Sequence, residues 1–293
     1  MKRYSSNFSL NELLAVTAAK EIKDYEVLIS GIGIPTMAST LAKVTHAKNI
    51  VVNTEWGVVD PMPRRLMFGV SCSAVNERVI AFQPQHFIMN DMQRGCYDLG
   101  IIGGAQVDKF GNVNSTWISQ PGRRDQIKIM LAGSGGANDI ATSANRVMIM
   151  MRSTKKNFVE HVDYITSPGY LGGPGERELY GMPGGGPFIV ISAEGTFRFD
   201  PDTKEMYLDT YHPGVTVEDI KSMVPWDLKV SPDVRETEKP TDEAIAILRT
   251  IDPSGVYLGE GKRILGEGHQ GNFEEFLRIM NESFDPMDKL INN

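Results

Sequence analysis

The sequence predicts an α/β fold, in which an open, mostly parallel sheet is flanked by helices and carries a small β appendage. Three observations support this prediction. Short apolar runs bounded by turn residues recur along the chain, as is typical of buried strands. Glycines collect where those strands are predicted to end. Residues 26–54 read as strand, helix and strand, a βαβ pattern that favours parallel strands and a right-handed crossover.

The first 54 residues hold the clearest element signals. Apolar positions at helical spacing predict a helix over 9–24. Ser9 is its candidate N-cap, and Glu12 follows three residues later, which is the spacing of a capping box. The βαβ unit is then predicted as a strand over 26–30, a helix over 36–45 and a strand over 50–54.

Further elements follow at regular intervals. The DPDT turn predicts a hairpin over 193–210. Residues 230–245 are rich in proline and charge and predict a surface connector, while 272–281 are amphipathic. We expect one domain over 1–252 and a C-terminal extension over 253–293. Short apolar runs predict four more strands, over 98–103, 148–152, 162–166 and 188–192.

Composition excludes several classes of protein. The 293 residues are 41% hydrophobic and 23% charged, which is enough apolar material for a sizeable core and excludes global disorder. A net charge of −7 disfavours nucleic acid bound through bulk charge. No window reaches the roughly 20 apolar residues of a membrane span, and the first residues lack a secretion signal. We therefore expect a soluble, cytoplasmic protein with no nucleic-acid or membrane partner.

Two cysteines, Cys72 and Cys96, are the complete thiol content of the chain. On their own they form neither a zinc cluster nor a disulfide framework, and no histidine lies at metal-ligand spacing from either. We therefore interpret both as core thiols and expect no metal site.

The glycine turn GIGIP, residues 31–35, follows the first strand and opens a helix. Glycines at such a position let backbone N–H groups face an anion or a developing oxyanion. The same turn, followed by Glu55 after the second strand, also approximates a dinucleotide fingerprint. Thr36 replaces the third glycine of that fingerprint, and Pro35 lies where the helix begins. Dinucleotide binding therefore remains an alternative, as does a purely structural βα turn.

Glu55 ends the second predicted strand and precedes Trp56 and Gly57. Open α/β sheets bind ligands at the carboxyl ends of their strands. A carboxylate held against an indole there is partly desolvated, which raises its pKa and its nucleophilicity. The alternative is an ordinary turn carboxylate that faces solvent.

Three more glycine-rich segments accompany this acid. They are GGAQVDKFGNVNST at 103–116, LAGSGGANDIAT at 131–142 and the Gly/Pro-dense stretch 166–187. The last is predicted to be either an ordered irregular loop or a mobile lid. Within it, Glu176 and Arg177 are candidate contacts for the acyl group of a dicarboxylate.

Four motifs, TEWGVVD, GGAQVDKFGNVNST, GSGGANDIAT and DYITSPGYLGGPGERE, carry a family resemblance. In order and spacing they resemble the β subunits of the family I coenzyme A transferases, and the likeness covers residues 10–252. The resemblance implies the NagB/RpiA-like fold of that family. It also implies transfer of CoA between an acyl-CoA and a carboxylic acid, with a dicarboxylic acid among the candidates.

The family's catalytic glutamate falls on Glu55. Its carboxylate is implied to attack the thioester and then to carry CoA as a glutamyl thioester, in ping-pong chemistry that needs only the CoA thioester as substrate and no resident cofactor. Trp56 departs from the small or amide residue usual at its position and is expected to narrow the acyl pocket. Backbone N–H groups implied to stabilise oxyanions are those of Gly31, Gly33, Gly135, Gly136 and Ala137. Residues implied to bind the CoA arm or the acyl group are Gly103, Gly104 and Gln106.

The resemblance also implies a partner chain. The Gly-Gly-Phe motif of the family's α subunit is absent from this sequence. We therefore expect an α2β2 or α4β4 heteromer with an α subunit. Three alternatives remain open: a CoA-thioester hydrolase or lyase on the same scaffold, a dinucleotide-binding protein, and a non-catalytic subunit of a transferase.

Overall fold

A computed structural model describes residues 3–67, 69, 72–259, 274, 277–278, 281 and 284–292. The chain divides into two compact units, one formed by residues 1–88 with 238–293 and the other by residues 89–237. No helix among the described residues is long and apolar enough to cross a membrane. The domain boundary expected at residues 252 and 253 stays a prediction.

The first unit builds a small sheet covered by helices. β1 and β2 are parallel, and β3 and β4 extend the sheet in antiparallel pairs. α1, α2 and α8 pack against one another, and α2 also contacts β1. Its elements are α1 (Leu10–Lys20), β1 (Val27–Ser30), α2 (Ile34–Val44), β2 (Val51–Asn53), β3 (Val58–Val59), a 3₁₀ turn (Ser73–Asn76), β4 (Ala81–Phe82), α8 (Asp242–Ile251) and α9 (Phe284–Asn292). A further helix, α3 (Gln85–Gln93), spans the boundary between the units.

The second unit has a six-stranded sheet in the order β14-β13-β12-β11-β10-β5, with parallel pairs at β5–β10 and β10–β11. Two separate two-stranded sheets, β6–β7 and β8–β9, supply the small additional β structure. Its elements are β5 (Leu99–Gly103), β6 (Gln106–Val107), β7 (Val113–Asn114), β8 (Trp117–Gln120), β9 (Arg123–Met130), α4 (Ala137–Ser143), β10 (Arg146–Met150), α5 (Thr154–Asn157), α6 (Glu176–Leu179), β11 (Pro187–Ile191), β12 (Gly195–Phe199), β13 (Met206–Tyr211), α7 (Val217–Met223) and β14 (Lys229–Glu236).

The α/β prediction is confirmed, and so is the βαβ unit, since β1, α2 and β2 occupy the predicted order and the two strands are parallel. The capping box at the start of α1 is present, because Ser9 and Glu12 exchange hydrogen bonds of 3.1 and 2.7 Å. The hairpin over the DPDT turn is β12 paired with β13. The amphipathic stretch at 272–281 lies mostly outside the described residues.

Two element predictions were wrong. Residues 162–166 form no strand. The Asp163 N–H donates to a side chain, Gln106 Oε1 (3.0 Å), and only the end of the segment reaches β7, where the Thr166 N–H donates to the Val113 carbonyl (2.9 Å). Residues 230–245 are not a connector but contain β14 and the start of α8. β14 tolerates Pro232 because its pairing with β13 shifts register between Val230 and Arg235, where a missing N–H costs no ladder bond.

The turn between β2 and β3 depends on a glycine. Gly57 has φ +91°, and its N–H donates to the Thr54 carbonyl at 3.2 Å to close a β-turn. The Gly57 carbonyl accepts from the Gln83 N–H at 2.8 Å. A Cβ on Gly57 would lie 1.7 Å from the Gln83 carbonyl oxygen, so no larger residue fits unless this backbone moves.

A buried histidine sits beside the end of the β12–β13 hairpin. His212 Nε2 lies 3.0 Å from the Ser192 carbonyl, and Nδ1 lies 2.8 Å from the Thr237 hydroxyl. A carbonyl only accepts, so Nε2 carries the proton and Nδ1 accepts from Thr237. Burial lowers the pKa of His212 from 6.5 to about 4, so the ring is neutral in the folded chain at neutral pH.

We predict that Gly57→Ala lowers the free energy of unfolding more than Gly214→Ala does. Gly214 has a similar φ of +86°, but a Cβ there would meet nothing within 4 Å, so its substitution costs only the backbone strain of about 1–2 kcal/mol. Gly57→Ala adds a steric clash worth about 1–3 kcal/mol. Urea denaturation of both variants measures the difference, and equal losses would contradict the close approach of Gln83.

We predict that stability falls as pH drops from 6.5 towards 4, because the unfolded chain then binds a proton at His212 that the folded chain excludes. The loss from this group approaches about 3 kcal/mol near pH 4 and vanishes above pH 6.5. His212→Gln should flatten this part of the pH profile of urea denaturation. The exposed His86 is the control, and an identical change in His86→Gln would contradict the assignment.

Candidate active site

Glu55 and the glycine turn leave the first sheet at the same edge. Ile29 of β1 pairs with Asn53 of β2 in parallel register. Two residues further along each strand, the chain reaches Gly31 and Glu55. The structure therefore brings the predicted nucleophile and the predicted glycine turn side by side, at the carboxyl ends of neighbouring parallel strands.

Glu55 occupies the second position of the β-turn that Thr54 and Gly57 close. The loop beyond the turn is fixed by Asp60, whose buried carboxylate accepts from the Lys43 ammonium of α2 and from the Val52 N–H (3.1 Å). The turn is thus anchored to β2 and to α2. Glu55 itself is half-buried, which suits a carboxylate that is held in place yet remains accessible to a substrate.

Trp56 follows Glu55 with 53% of its side chain exposed. The neighbouring strand β4 and the residue before it add two more exposed apolar side chains, Phe82 and Ile80. In this chain the indole is therefore only partly packed, and the expected narrowing of an acyl pocket stays a prediction. An apolar surface nevertheless begins directly beside the carboxylate.

The glycine turn leads into the N-terminus of α2. Gly33 is the N-cap and has no side chain to occupy the first N–H groups of the helix, while Pro35 lies in the first turn. The Thr36 hydroxyl donates to the Gly31 carbonyl at 2.9 Å, and Ile32 packs on a cluster of Val58, Met67 and Val75. This anchoring holds the positive end of an eleven-residue helix at the edge that carries Glu55.

In the second unit, two predicted groups lie at the carboxyl edge of β5. Gly103 ends that strand and Gly104 follows it. Gly135 and Gly136 precede α4, which packs on β5 and leads into the parallel strand β10. A crossover helix runs antiparallel to its strands, so its N-terminus lies at the same edge as the end of β5.

Individual residues of these groups are already engaged. A Cβ on Gly104 would lie 2.2 Å from Val113 Cγ1, so close packing against β7 accounts for this glycine. The Ala137 N–H donates to the Ser134 carbonyl at 2.9 Å and would have to leave that bond to meet an oxyanion.

Gln106 is buried inside a polar network rather than aimed at open space. Its Nε2 donates to Asp163 (2.9 Å), and its Oε1 accepts from Asn114 Nδ2 (2.7 Å) and from the Asp163 N–H (3.0 Å). Asn114 also donates to the Trp117 carbonyl at 2.6 Å. This arrangement describes a residue that positions the loops around β6 and β7.

The sequence did not predict that Asp108 and Asn112 hold the neighbouring loops in place. Asp108 accepts from the Phe110 N–H (3.1 Å) and from the Asn112 N–H (3.0 Å) and Nδ2 (2.9 Å), and burial raises its pKa. Asn112 Oδ1 in turn accepts from the N–H groups of Gly169 (2.9 Å) and Leu171 (3.1 Å). The polar residues at fixed spacing within GGAQVDKFGNVNST were the available signal, because polar side chains in a buried segment need partners.

The Gly/Pro-dense stretch is an ordered loop. Arg177 is buried in it and donates to the carbonyls of Gly169 (2.8 Å), Gly184 (3.0 Å) and Thr142 (3.0 Å), and burial lowers the pKa of this guanidinium. The arginine is therefore committed to the backbone, and the expectation that it contacts an acyl group was wrong. Glu176 accepts from the Gly172 N–H at 3.0 Å within the same loop.

A cavity of about 470 Å³ opens beside this loop. Among the described residues, no group of three or more His, Cys, Asp and Glu side chains could hold a metal ion. The cavity is lined by Asp108, Asn112, His161, Val162, Ile165, Leu171, Gly172, Glu176, Tyr180 and Met182.

The sequence is similar to those of known proteins, and the similarity identifies a family. A family model described as coenzyme A transferase matches residues 11–223. The B subunit of glutaconate CoA-transferase from Acidaminococcus fermentans is 38% identical over 264 residues, which cover 86% of this chain and 96% of the relative. The B subunit of 3-oxoadipate CoA-transferase from Pseudomonas knackmussii is 32% identical over 270 residues, which cover 92% of this chain and 100% of the relative.

A solved structure agrees with the sequence relatives. The chain matches the crystal structure of glutaconate coenzyme A-transferase from Acidaminococcus fermentans with a TM-score of 0.80 and 35% identity, over 87% of this chain and 98% of that one. The family model covers most of the sequence, and both curated relatives exceed 30% identity along nearly their whole length. The chain belongs to the coenzyme A transferase family.

Proposed function

We propose that this chain is the β subunit of a CoA-transferase and that Glu55 is its nucleophile. One observation carries the assignment of the residue. Glu55 stands at the corner of an anchored β-turn, at the carboxyl end of β2, next to the strand that leads into the N-terminus of α2. A half-buried carboxylate in that position meets the requirement of a nucleophile that is fixed yet reachable.

The proposed reaction proceeds in two halves. A Glu55 carboxylate oxygen attacks the thioester carbonyl carbon, the carbon–sulfur bond breaks, and a mixed anhydride and CoA thiolate form. The thiolate then attacks the glutamyl carbonyl, releasing the donor acid and leaving CoA bound to Glu55 as a thioester. An acceptor carboxylate reverses these steps with its own acyl group and departs as the new acyl-CoA. This chemistry needs no resident cofactor or metal.

Each attack passes through a tetrahedral oxyanion, and backbone N–H groups are suited to stabilise it. We propose Gly31 and Gly33 as donors in the first unit, since their turn lies at the edge that carries Glu55. The same function is proposed for Gly135, Gly136 and Ala137 in the second unit. Loss of one such donor costs roughly 2.7–4 kcal/mol in other enzymes. The proposed contacts for the CoA arm or the acyl group are Trp56, Gly103, Gly104 and, in a positioning capacity, Gln106.

The proposed substrates are a dicarboxylic acid and its CoA thioester. The two curated relatives are named for glutaconate and for 3-oxoadipate, and both compounds are dicarboxylates. Each relative is also named as one lettered subunit of its enzyme, which supports a heteromer with an α subunit in α2β2 or α4β4 form. We place this assembly in the cytoplasm.

Trapping of the acyl-enzyme tests the nucleophile. The chain, assembled with its α subunit, is incubated with glutaconyl-CoA in the absence of acceptor and then reduced with borohydride. We expect the tryptic peptide 49–64 to show Glu55 converted to a primary alcohol, because borohydride reduces the glutamyl thioester. Peptide mass spectrometry measures this change.

Two variants sharpen the experiment. Glu55→Gln should lose the modification and lower turnover on the order of 10⁴-fold or more, as when the nucleophile of another covalent enzyme is removed. Glu243→Gln changes an exposed carboxylate in α8 and should leave both unchanged. Full turnover in Glu55→Gln would overturn the assignment. Repeated turnover without any acceptor acid, with free CoA and acid released beyond one equivalent per site, would instead identify a hydrolase.

A further inference from the structure

The β8–β9 hairpin, residues 117–130, forms a two-stranded sheet of its own, here called the ribbon. Every β9 side chain that the structure describes is exposed. Three of them are large and apolar, with exposures of 52% for Ile127, 46% for Ile129 and 69% for Met130. An isolated two-stranded hairpin is marginally stable in water, and contiguous exposed apolar side chains usually mark an interaction surface.

The base of the ribbon is nevertheless firmly held. Trp117 stacks on Tyr164 with ring centroids 4.2 Å apart, and the Ser119 N–H donates to Asp163 at 3.1 Å. The two residues that flank the ribbon are also joined, since the Leu131 N–H donates to the Thr116 carbonyl at 2.9 Å. The base of the ribbon is therefore fixed while its strand β9 stays exposed. This combination is typical of an arm that binds another molecule.

The charge of the ribbon narrows the choice of that molecule. The ribbon holds three cations, Arg123, Arg124 and Lys128, and one anion, Asp125, on a chain whose net charge is −7. If the ribbon paired with the same ribbon of a second copy, cations would face cations, which is unfavourable. A surface that complements the ribbon is apolar and carries carboxylates at its rim.

We infer that the ribbon is the arm by which this chain docks onto its α subunit. The inference rests on the proposed function, because the second chain comes from the naming of both relatives as one subunit of a larger enzyme. Tyr164, which stacks on Trp117 at the base of the ribbon, adds a further apolar side chain that is 42% exposed. The glycine turn that holds Gly135 and Gly136 begins directly after β9, so docking of the ribbon also fixes the entrance to that turn.

Assembly of the purified pair tests the inference. The α chain that co-purifies with the wild-type protein is identified by mass spectrometry as a second CoA-transferase chain and then co-expressed with variants. Ile127→Asp combined with Ile129→Asp should weaken the heteromer at least 100-fold by analytical ultracentrifugation. The matched control is Tyr25→Asp combined with Leu179→Asp, which introduces the same two charges at side chains 77% and 78% exposed, before β1 and at the end of α6, and it should assemble normally. Circular dichroism of the isolated variants confirms folding.

Hydrogen–deuterium exchange supplies a second readout that needs no variant. Amides of residues 117–130 should exchange at least tenfold more slowly in the heteromer than in the isolated chain. Unchanged exchange, or normal assembly of the double variant, would overturn the inference. Normal assembly with a raised KM for acyl-CoA would overturn it too, and would assign the ribbon to substrate. Trapping on Glu55 in the wild-type heteromer reports the proposed function separately, so the two failures are distinguishable.

Discussion

The position of Glu55 depends on one close approach, that of the Gly57 backbone to the Gln83 backbone. β3 and β4 are only two residues long, so strand pairing alone provides few hydrogen bonds to hold the turn between β2 and β3. The Gln83 N–H bond to the Gly57 carbonyl and the absence of a Cβ at Gly57 allow this contact to serve instead. Asp60 completes the anchoring through Lys43 and the Val52 N–H. A carboxylate on an otherwise short and irregular hairpin is thereby given a fixed position, which nucleophilic catalysis requires.

In the second unit, buried polar side chains fix the positions of irregular loops. Its glycine-rich loops have little regular structure, so their backbone groups need partners from elsewhere. Asn112 accepts hydrogen bonds from the N–H groups of Gly169 and Leu171, and Arg177 donates to several backbone carbonyls. Gln106 bonds both to Asp163 and to a side chain of β7. Loops organised in this way keep their shape without a hydrophobic core beneath every residue. Glycine then contributes close approach and an unobstructed backbone, while the polar side chains supply order.

Local signals predicted much of this arrangement. The capping box of Ser9 and Glu12, the βαβ unit and the hairpin over the DPDT turn are each encoded within a few neighbouring residues, and each is confirmed. The same signals predicted that Glu55 ends a strand, but not the contact with Gln83 that fixes it, because that contact joins distant parts of the chain. The prediction for residues 162–166 failed for a related reason: their apolar pattern favours a strand, whereas the Asp163 N–H bonds to the side chain of the distant Gln106. Pro232 favoured a connector over a strand at β14, but the register shift in the pairing of β14 with β13 accommodates this proline.

Water exclusion links the proposed chemistry to the exposed surfaces of the chain. A mixed anhydride on Glu55 is open to hydrolysis, so a transferase must keep water from it while an acceptor acid reaches it. This chain leaves Trp56 half-exposed beside the carboxylate, with Phe82 and Ile80 nearby, and so does not by itself enclose the proposed nucleophile on that side. A second protein surface packed against those side chains would remove the water and lower the local dielectric, which strengthens each oxyanion contact. In the proposed heteromer, the choice between transfer and hydrolysis is therefore a property of the assembled pair, and the turn that carries Glu55 supplies only the nucleophile.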